Sequence, residues 1–191
     1  MHRTFFLVFL WLPVFTCLSQ PAGDPEEQLL SWNEFYKLQW HDFRGEPGEN
    51  ARGDAGAVVR IKARPFLVKK EIKYDVVALF NRSKSWARGK SAALLKHEQL
   101  HFDIAELYAR KIRKRIKELA HKGVNDIKTY NAAIEELLLE SNEVDLQYDL
   151  ETLHGALEKK QASWAVKVKE ELAGLARYKK HRRVIEGNNG R

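Results

Sequence analysis

The strongest constraint on the fold is the stretch 91–120, in which apolar residues recur at intervals of three and four. The residues in this pattern are Leu94, Leu95, Ile104, Ala105, Tyr108, Ile112 and Ile116. This spacing puts them on one face of an α-helix, and that face needs a partner element to bury it. Ser91 is a favourable N-cap residue, and Gly123 stands where a helix of this length would end. We therefore predict one long amphipathic helix packed on its apolar side.

Upstream of the helix the period changes from three or four residues to two. Apolar and polar residues alternate over 59–64 and again over 72–80, which predicts two half-buried strands. A shorter alternation at Leu38 and Trp40 predicts another strand. The connections are too short for parallel crossovers, so the strands should pair antiparallel.

Downstream, helical patterns return. A second helical region is expected from Asn125 or Asp126 up to Gly155, and a last helix over 156–180. The sequence thus predicts an α+β fold: a small N-terminal antiparallel sheet, then the long helix, then C-terminal helices. No linker divides it, so residues 20–191 are expected to form a single domain that ends in a basic, frayed tail.

The N-terminus has the pattern of a secretory signal peptide over residues 1–19. Arg3 precedes a short apolar run, and cleavage is expected before Gln20. An alternative is lipoprotein anchoring at Cys17, the only cysteine. Plain cleavage would leave an exported chain, periplasmic or secreted, with no disulfide and no transmembrane segment.

His97, Glu98 and His101 form a His-Glu-x-x-His pattern on the long helix. Residues four apart lie one turn apart, so the two imidazoles point the same way and can bind one Zn²⁺ ion. Glu98 lies one step round the helix, where it can act as a general base rather than as a ligand. The pattern is typical of zinc peptidases.

Donors for a third ligand are concentrated about fifty residues downstream. These are Tyr148, Asp149, Glu151 and His154, and Gly155 follows them. A catalytic zinc site needs three protein ligands and an open fourth position. The cluster is therefore expected to complete the site.

These segments carry a resemblance to a known family. The segments are LQWHDFRG, SKSW, HEQLHFDIAELYAR, YDLETLHG and QASW, and they run from about Trp32 to Trp164. The chain resembles a bacterial family, a domain of unknown function (nine-two-two), described as predicted secreted zinc-dependent proteases. The resemblance implies a zincin-like fold, zinc on His97 and His101, Glu98 as the base, and a peptide or protein substrate.

The third ligand is chosen by its chemistry. His154 is preferred because a neutral imidazole leaves the zinc ion electrophilic, while Glu151 and Asp149 stay open as alternatives. The donors not used would orient an imidazole. Tyr148 is a candidate catalytic residue that stabilises an oxyanion, with packing against the long helix as the alternative.

Two other interpretations stay open. The chain could be a non-catalytic exported zinc-binding envelope or interaction module, in which a fourth protein donor closes the site. The basic stretch 177–183 could contact an anionic surface, although a solvated helix end accounts for it and no nucleic-acid partner is expected. The strand at 72–80 is a candidate sheet edge for a substrate strand. The pattern does not determine the oligomeric state.

Overall fold

A computed structural model describes residues 28–49, 51 and 53–180. The predicted cleavage site before Gln20, Cys17, and the tail from residue 181 onward lie outside the described residues. The chain is α+β, with a small antiparallel sheet followed by three helices, as the sequence predicted. The strands are β1 (Leu29–Ser31), β2 (Ala55–Gly56), β3 (Val59–Val68), β4 (Glu71–Asn81) and β5 (Trp86–Ala87), and the helices are α1 (Ala92–His121), α2 (Ile127–Thr152) and α3 (Glu158–Gly174).

The main sheet has three antiparallel strands in the order β1-β4-β3, and β2 pairs separately with β5. The two long strands form a hairpin in which Ile61 is opposite Ala78. This confirms both period-two predictions. β1 pairs with β4 only at Leu79–Asn81, so the predicted sheet edge at 72–80 is covered at that end, and β3 forms the other edge of the sheet.

The predicted strand at Leu38 and Trp40 is wrong. Leu38 is buried but lies outside any strand, and Trp40–Asp42 forms a short 3-10 helix. The Asp42 carboxylate accepts a hydrogen bond from the Gln39 backbone N–H at 2.9 Å, and this local bond competes with an extended chain. β1 was missed because three residues are too few to show a period.

α1 begins where the sequence predicted it. The Ser91 hydroxyl accepts a hydrogen bond from the Leu94 N–H at 3.1 Å and caps the helix. The apolar face of α1 packs on the sheet, where Phe80 and Phe102 meet with ring centroids 5.9 Å apart. Glu106 and Arg110 of α1 form an ion pair at 2.9 Å inside the core. Arg113 joins it and donates to the Val76 carbonyl, which ties α1 to β4.

α2 is one continuous helix, and Asp126 caps its N-terminus by accepting from Thr129 N–H at 3.0 Å. It ends at Thr152, and the next three residues all have positive φ angles. α2 and α3 both pack on α1. A second apolar cluster joins the three helices: Leu100, Ile104, Tyr108, Tyr148, Trp164 and Val168.

None of the described helices combines the length and the apolar character that crossing a membrane would require.

Candidate metal centre

The two histidines of the His-Glu-x-x-His pattern lie side by side on the buried face of α1. Their rings are nearly perpendicular, at 87°, with centroids 4.7 Å apart. His97 Nε2 and His101 Nε2 approach each other to 3.2 Å. The helical spacing therefore brings one nitrogen of each ring to a common point, as a chelating pair requires.

Asp149, on the facing side of α2, completes the group. Its Oδ1 atom lies 3.1 Å from His97 Nε2 and 3.1 Å from His101 Nε2. All three donors lie within 4.8 Å of one another, a grouping that could hold a metal ion. At these distances either an imidazole N–H donates to a neighbouring lone pair or a metal ion lies between the three atoms, because facing lone pairs repel one another.

The spacing of the three donors can be tested against zinc. Two ligand atoms at about 2.0–2.1 Å from one tetrahedral ion lie roughly 3.3 Å apart. The observed separations of 3.1, 3.1 and 3.2 Å are close to that value. Two imidazoles and one carboxylate are also a common zinc donor set. The residues present therefore fit a zinc ion.

Asp145, which the sequence analysis did not single out, orients the second histidine. Its carboxylate lies 2.6 Å from His101 Nδ1, on the side of the ring away from the converging donors. Such a carboxylate sets the tautomer and orientation of a ligating imidazole. Burial by itself lowers the pKa of His101, but the hydrogen bonds to Asp145 and Asp149 outweigh it and raise the pKa to about 10.

A sequence signal for Asp145 did exist. Asp145 and Asp149 are four residues apart on α2, the same spacing as His97 and His101 on α1. Each pair occupies one helical turn, so antiparallel packing of the two helices can bring the pairs together. Burial opposes ionisation of Asp149, but its hydrogen bonds to the two histidines prevail and lower its pKa.

The other nitrogen of His97 has no such partner among the described residues. His97 is 2 % exposed, and its Nδ1 atom is buried without a hydrogen bond. Gly155 lies against this ring so closely that a Cβ atom there would be 3.0 Å from His97 Cγ and 3.0 Å from Gln161 Oε1. Gln161 Oε1 is likewise buried without a partner. Two unsatisfied polar atoms thus border the same glycine.

The Glu98 carboxylate contacts the strand region. Its Oε2 atom accepts a hydrogen bond from the Ala57 backbone N–H at 2.7 Å, just after β2. Burial raises the pKa of this carboxyl, although the two nearby histidines and the Ala57 N–H act in the opposite sense. A buried carboxylate with a raised pKa is a stronger base than one in water.

Tyr148 packs against both histidine rings. It is fully buried, and its ring stacks on His97 at 4.7 Å with an interplanar angle of 25°. Its hydroxyl donates to the His97 carbonyl at 3.3 Å. Packing of Tyr148 against the long helix, the alternative in the sequence analysis, accounts for these contacts. Stabilisation of an oxyanion by Tyr148 stays a prediction.

The remaining candidate ligands, His154 and Glu151, are not members of the group of three donors. His154 is 61 % exposed, with Nδ1 3.3 Å from the same Asp149 oxygen. Glu151 accepts from Trp164 Nε1 at 2.9 Å and from Gln147 at 2.7 Å. The geometry therefore favours Asp149, an alternative in the sequence analysis, over the preferred His154.

A small cavity lies between the sheet edge and the centre. It has a volume of about 80 Å³ and is lined on one side by Arg60 and Ile61 of β3 and on the other by His101 and Asp145. The start of the edge strand is therefore the part of the sheet that lies beside the candidate metal centre.

No curated protein and no solved structure matches the chain significantly. One family model does match, over the segment that begins with β4 and ends at Gly155. It includes the two histidines, Glu98 and both aspartates. Residues 71–155 match the model of the family described as bacterial protein of unknown function (DUF922).

Proposed function

We propose that this protein is an exported zinc-dependent peptidase of the His-Glu-x-x-His type. The observation that carries the proposal is the convergence of His97 Nε2, His101 Nε2 and Asp149 Oδ1 at 3.1–3.2 Å. Three donors leave one position of a tetrahedral ion for water, the arrangement of catalytic rather than structural zinc sites. Export rests on the signal-peptide pattern of residues 1–19.

The chemistry divides between the metal and the chain. When bound, zinc would supply a water molecule with a pKa of about 7 and positive charge beside a substrate carbonyl. The Glu98 carboxylate is the group that takes up a proton from the attacking water and returns it to the leaving amine. The Ala57 N–H holds this carboxylate at one oxygen and leaves the other free to act.

The edge of the sheet supports a peptide as the substrate. Among the described residues, no strand pairs with the outer edge of β3. An extended peptide can add to such an edge through main-chain hydrogen bonds. The start of β3 lies beside His101 and Asp145, so an added strand would pass the metal centre.

The proposal is tested with the purified full chain and three variants. Wild-type protein is expected to hold one zinc ion per chain, and His97→Ala is expected to lose it, as measured by elemental analysis. Glu98→Gln keeps a side chain that can accept from Ala57 N–H, so it should retain zinc but lose cleavage of a mixed peptide library by at least a hundredfold. Asp145→Asn serves as a control in which zinc binding weakens but the base is intact.

Two results would overturn the proposal. One is a purified chain that binds no zinc even when the metal is supplied. The other is a Glu98→Gln variant that cleaves peptides as fast as the wild type, because the proton would then be handled elsewhere.

A second candidate function is a non-catalytic zinc-binding module, and the position of His154 favours it. Its Nδ1 atom lies 3.3 Å from Asp149 Oδ1, near enough for a fourth donor that would close the site. In that case His154→Ala should weaken zinc binding strongly. In a catalytic site with three ligands the same variant should bind zinc as the wild type does, and cobalt-substituted protein should show an exchangeable water.

A further inference from the structure

The outer face of α2 carries a line of exposed leucines. Leu139, Leu146 and Leu150 have exposed fractions of 58 %, 64 % and 74 %. They are seven and four residues apart, so at 100° per residue they lie within about 40° of one another and extend over about 16 Å of the helix. We call these three residues the leucine face.

The packing of the fold does not account for this face. α2 uses another side to contact the rest of the molecule, with Tyr130, Ile134, Leu137 and Tyr148 buried there. Single exposed leucines are ordinary on protein surfaces. Three exposed leucines in one line along a helix are typical of a helix that binds another apolar surface.

Carboxylates border the leucine face on both sides. Glu135 and Glu143 are four residues before and after Leu139, which puts them about 40° to either side of it, and both are exposed. The whole of α2 carries seven acidic residues against one basic residue, Lys128. Four of these seven are paired elsewhere: Glu136 with Arg115, Glu140 with Lys111, and Asp145 and Asp149 with the histidines. The leucine face is therefore an apolar line bordered by the carboxylates of Glu135 and Glu143.

This charge pattern selects the partner. A second copy of α2 would bring like charges into contact, and an anionic membrane surface would be repelled in the same way. A helix with apolar residues on one side and lysines or arginines beside them would match both the line and its borders. We propose that the leucine face is a docking surface for a cationic amphipathic helix, and this inference does not depend on the metal centre.

The experiment uses the full chain carrying Glu98→Gln, so that a cleavage reaction cannot consume the probe. The probe is a synthetic helical peptide of 14 residues with leucines on one face and lysines on the other. One control peptide has the same composition in scrambled order, and a second has glutamate in place of lysine. Binding is measured by titration calorimetry at low salt and again at 0.5 M salt.

The amphipathic lysine peptide is expected to bind at least tenfold more tightly than either control, with affinity falling at high salt. Adding Leu146→Gln and Leu150→Gln should weaken binding at least tenfold. The control is Val166→Gln, at an apolar residue on α3 that is also more than half exposed (55 %), and it should leave the affinity unchanged. Glu135→Lys with Glu143→Lys should reverse the preference toward the glutamate peptide.

Three outcomes would overturn the inference. The first is equal binding of the scrambled peptide, which would indicate attraction of charge alone. The second is unchanged affinity in the Leu146→Gln and Leu150→Gln variant. The third is sedimentation showing a dimer that this variant abolishes, because the face would then be occupied by a second copy. The side chains substituted in addition to Glu98 are all exposed, so the thermal unfolding temperature should stay within a few degrees of that of the Glu98→Gln parent.

Discussion

Replacing Gly155 by alanine should damage both stability and metal binding, for two separable reasons. Gly155 has φ +86°, a left-handed conformation that costs an alanine about 1–2 kcal/mol. Its new Cβ atom would also lie 3.0 Å from His97 Cβ, His97 Cγ and Gln161 Oε1. Overpacking of this kind costs roughly 1–3 kcal/mol more. The expected loss in free energy of unfolding is therefore about 2–5 kcal/mol.

Gly123 provides a matched control for this variant. It has φ +74°, and a Cβ atom there would meet nothing within 4 Å. Gly123→Ala should therefore show the conformational cost alone, about 1–2 kcal/mol. The difference between the two variants isolates the contact with His97.

The assay is urea unfolding of the metal-free chain, followed by tryptophan fluorescence, and then zinc titration against a chelating dye. Gly155→Ala should have the lower urea midpoint of the two variants and should bind zinc at least tenfold more weakly, since its Cβ displaces the His97 ring. Gly123→Ala should bind zinc as the wild type does. Equal unfolding losses in the two variants, or unchanged zinc affinity in Gly155→Ala, would refute the reasoning.

Three further substitutions test the centre and its support. Asp145→Asn removes the negative charge beside His101, so the His101 pKa should fall from about 10 in an NMR titration of the metal-free protein. Zinc affinity should fall about 10- to 100-fold. An unchanged His101 pKa would contradict this prediction. Glu106→Leu leaves the buried Arg110 guanidinium without its carboxylate partner, so the free energy of unfolding measured in urea should fall by about 3–5 kcal/mol. A loss below 1 kcal/mol would mean that the guanidinium finds another acceptor. Tyr148→Phe removes one hydrogen bond but keeps the ring, so the free energy of unfolding should fall by about 1 kcal/mol. The rate of peptide cleavage should stay within tenfold of the wild type. A hundredfold loss of cleavage in a variant that still binds zinc would instead support the oxyanion role.

The sequence was most informative where a pattern is long and local. The alternation over 59–64 and 72–80 and the three-four spacing over 91–120 extend for many residues, and both predict the observed elements. The cap at Ser91 followed from one residue type in one position. The three-residue strand β1 and the 3-10 helix at Trp40–Asp42 are too short for such a signal.

The site was predictable only in part for a related reason. The placement of His97 and His101 on one side of α1 follows from four-residue spacing within a single helix. The choice among Asp149, Glu151 and His154 depends on which turn of α2 faces those rings, and no spacing along the chain contains that information. The four-residue spacing of Asp145 and Asp149 marks them as a pair on one side of α2, but only the packing of α2 on α1 puts Asp145 beside His101.

Within this chain, the sequence by itself determined the α+β class, the order of the long elements and the pairing of two imidazoles on one helical turn. Only the tertiary structure decided that Asp149 meets those imidazoles, that β4 is central while β3 forms an edge, and that the leucine face of α2 stays exposed. The physical reason is the range of the interactions. Backbone geometry repeats every two or 3.6 residues and leaves its period in the sequence, whereas a contact between elements fifty residues apart depends on how their surfaces pack together.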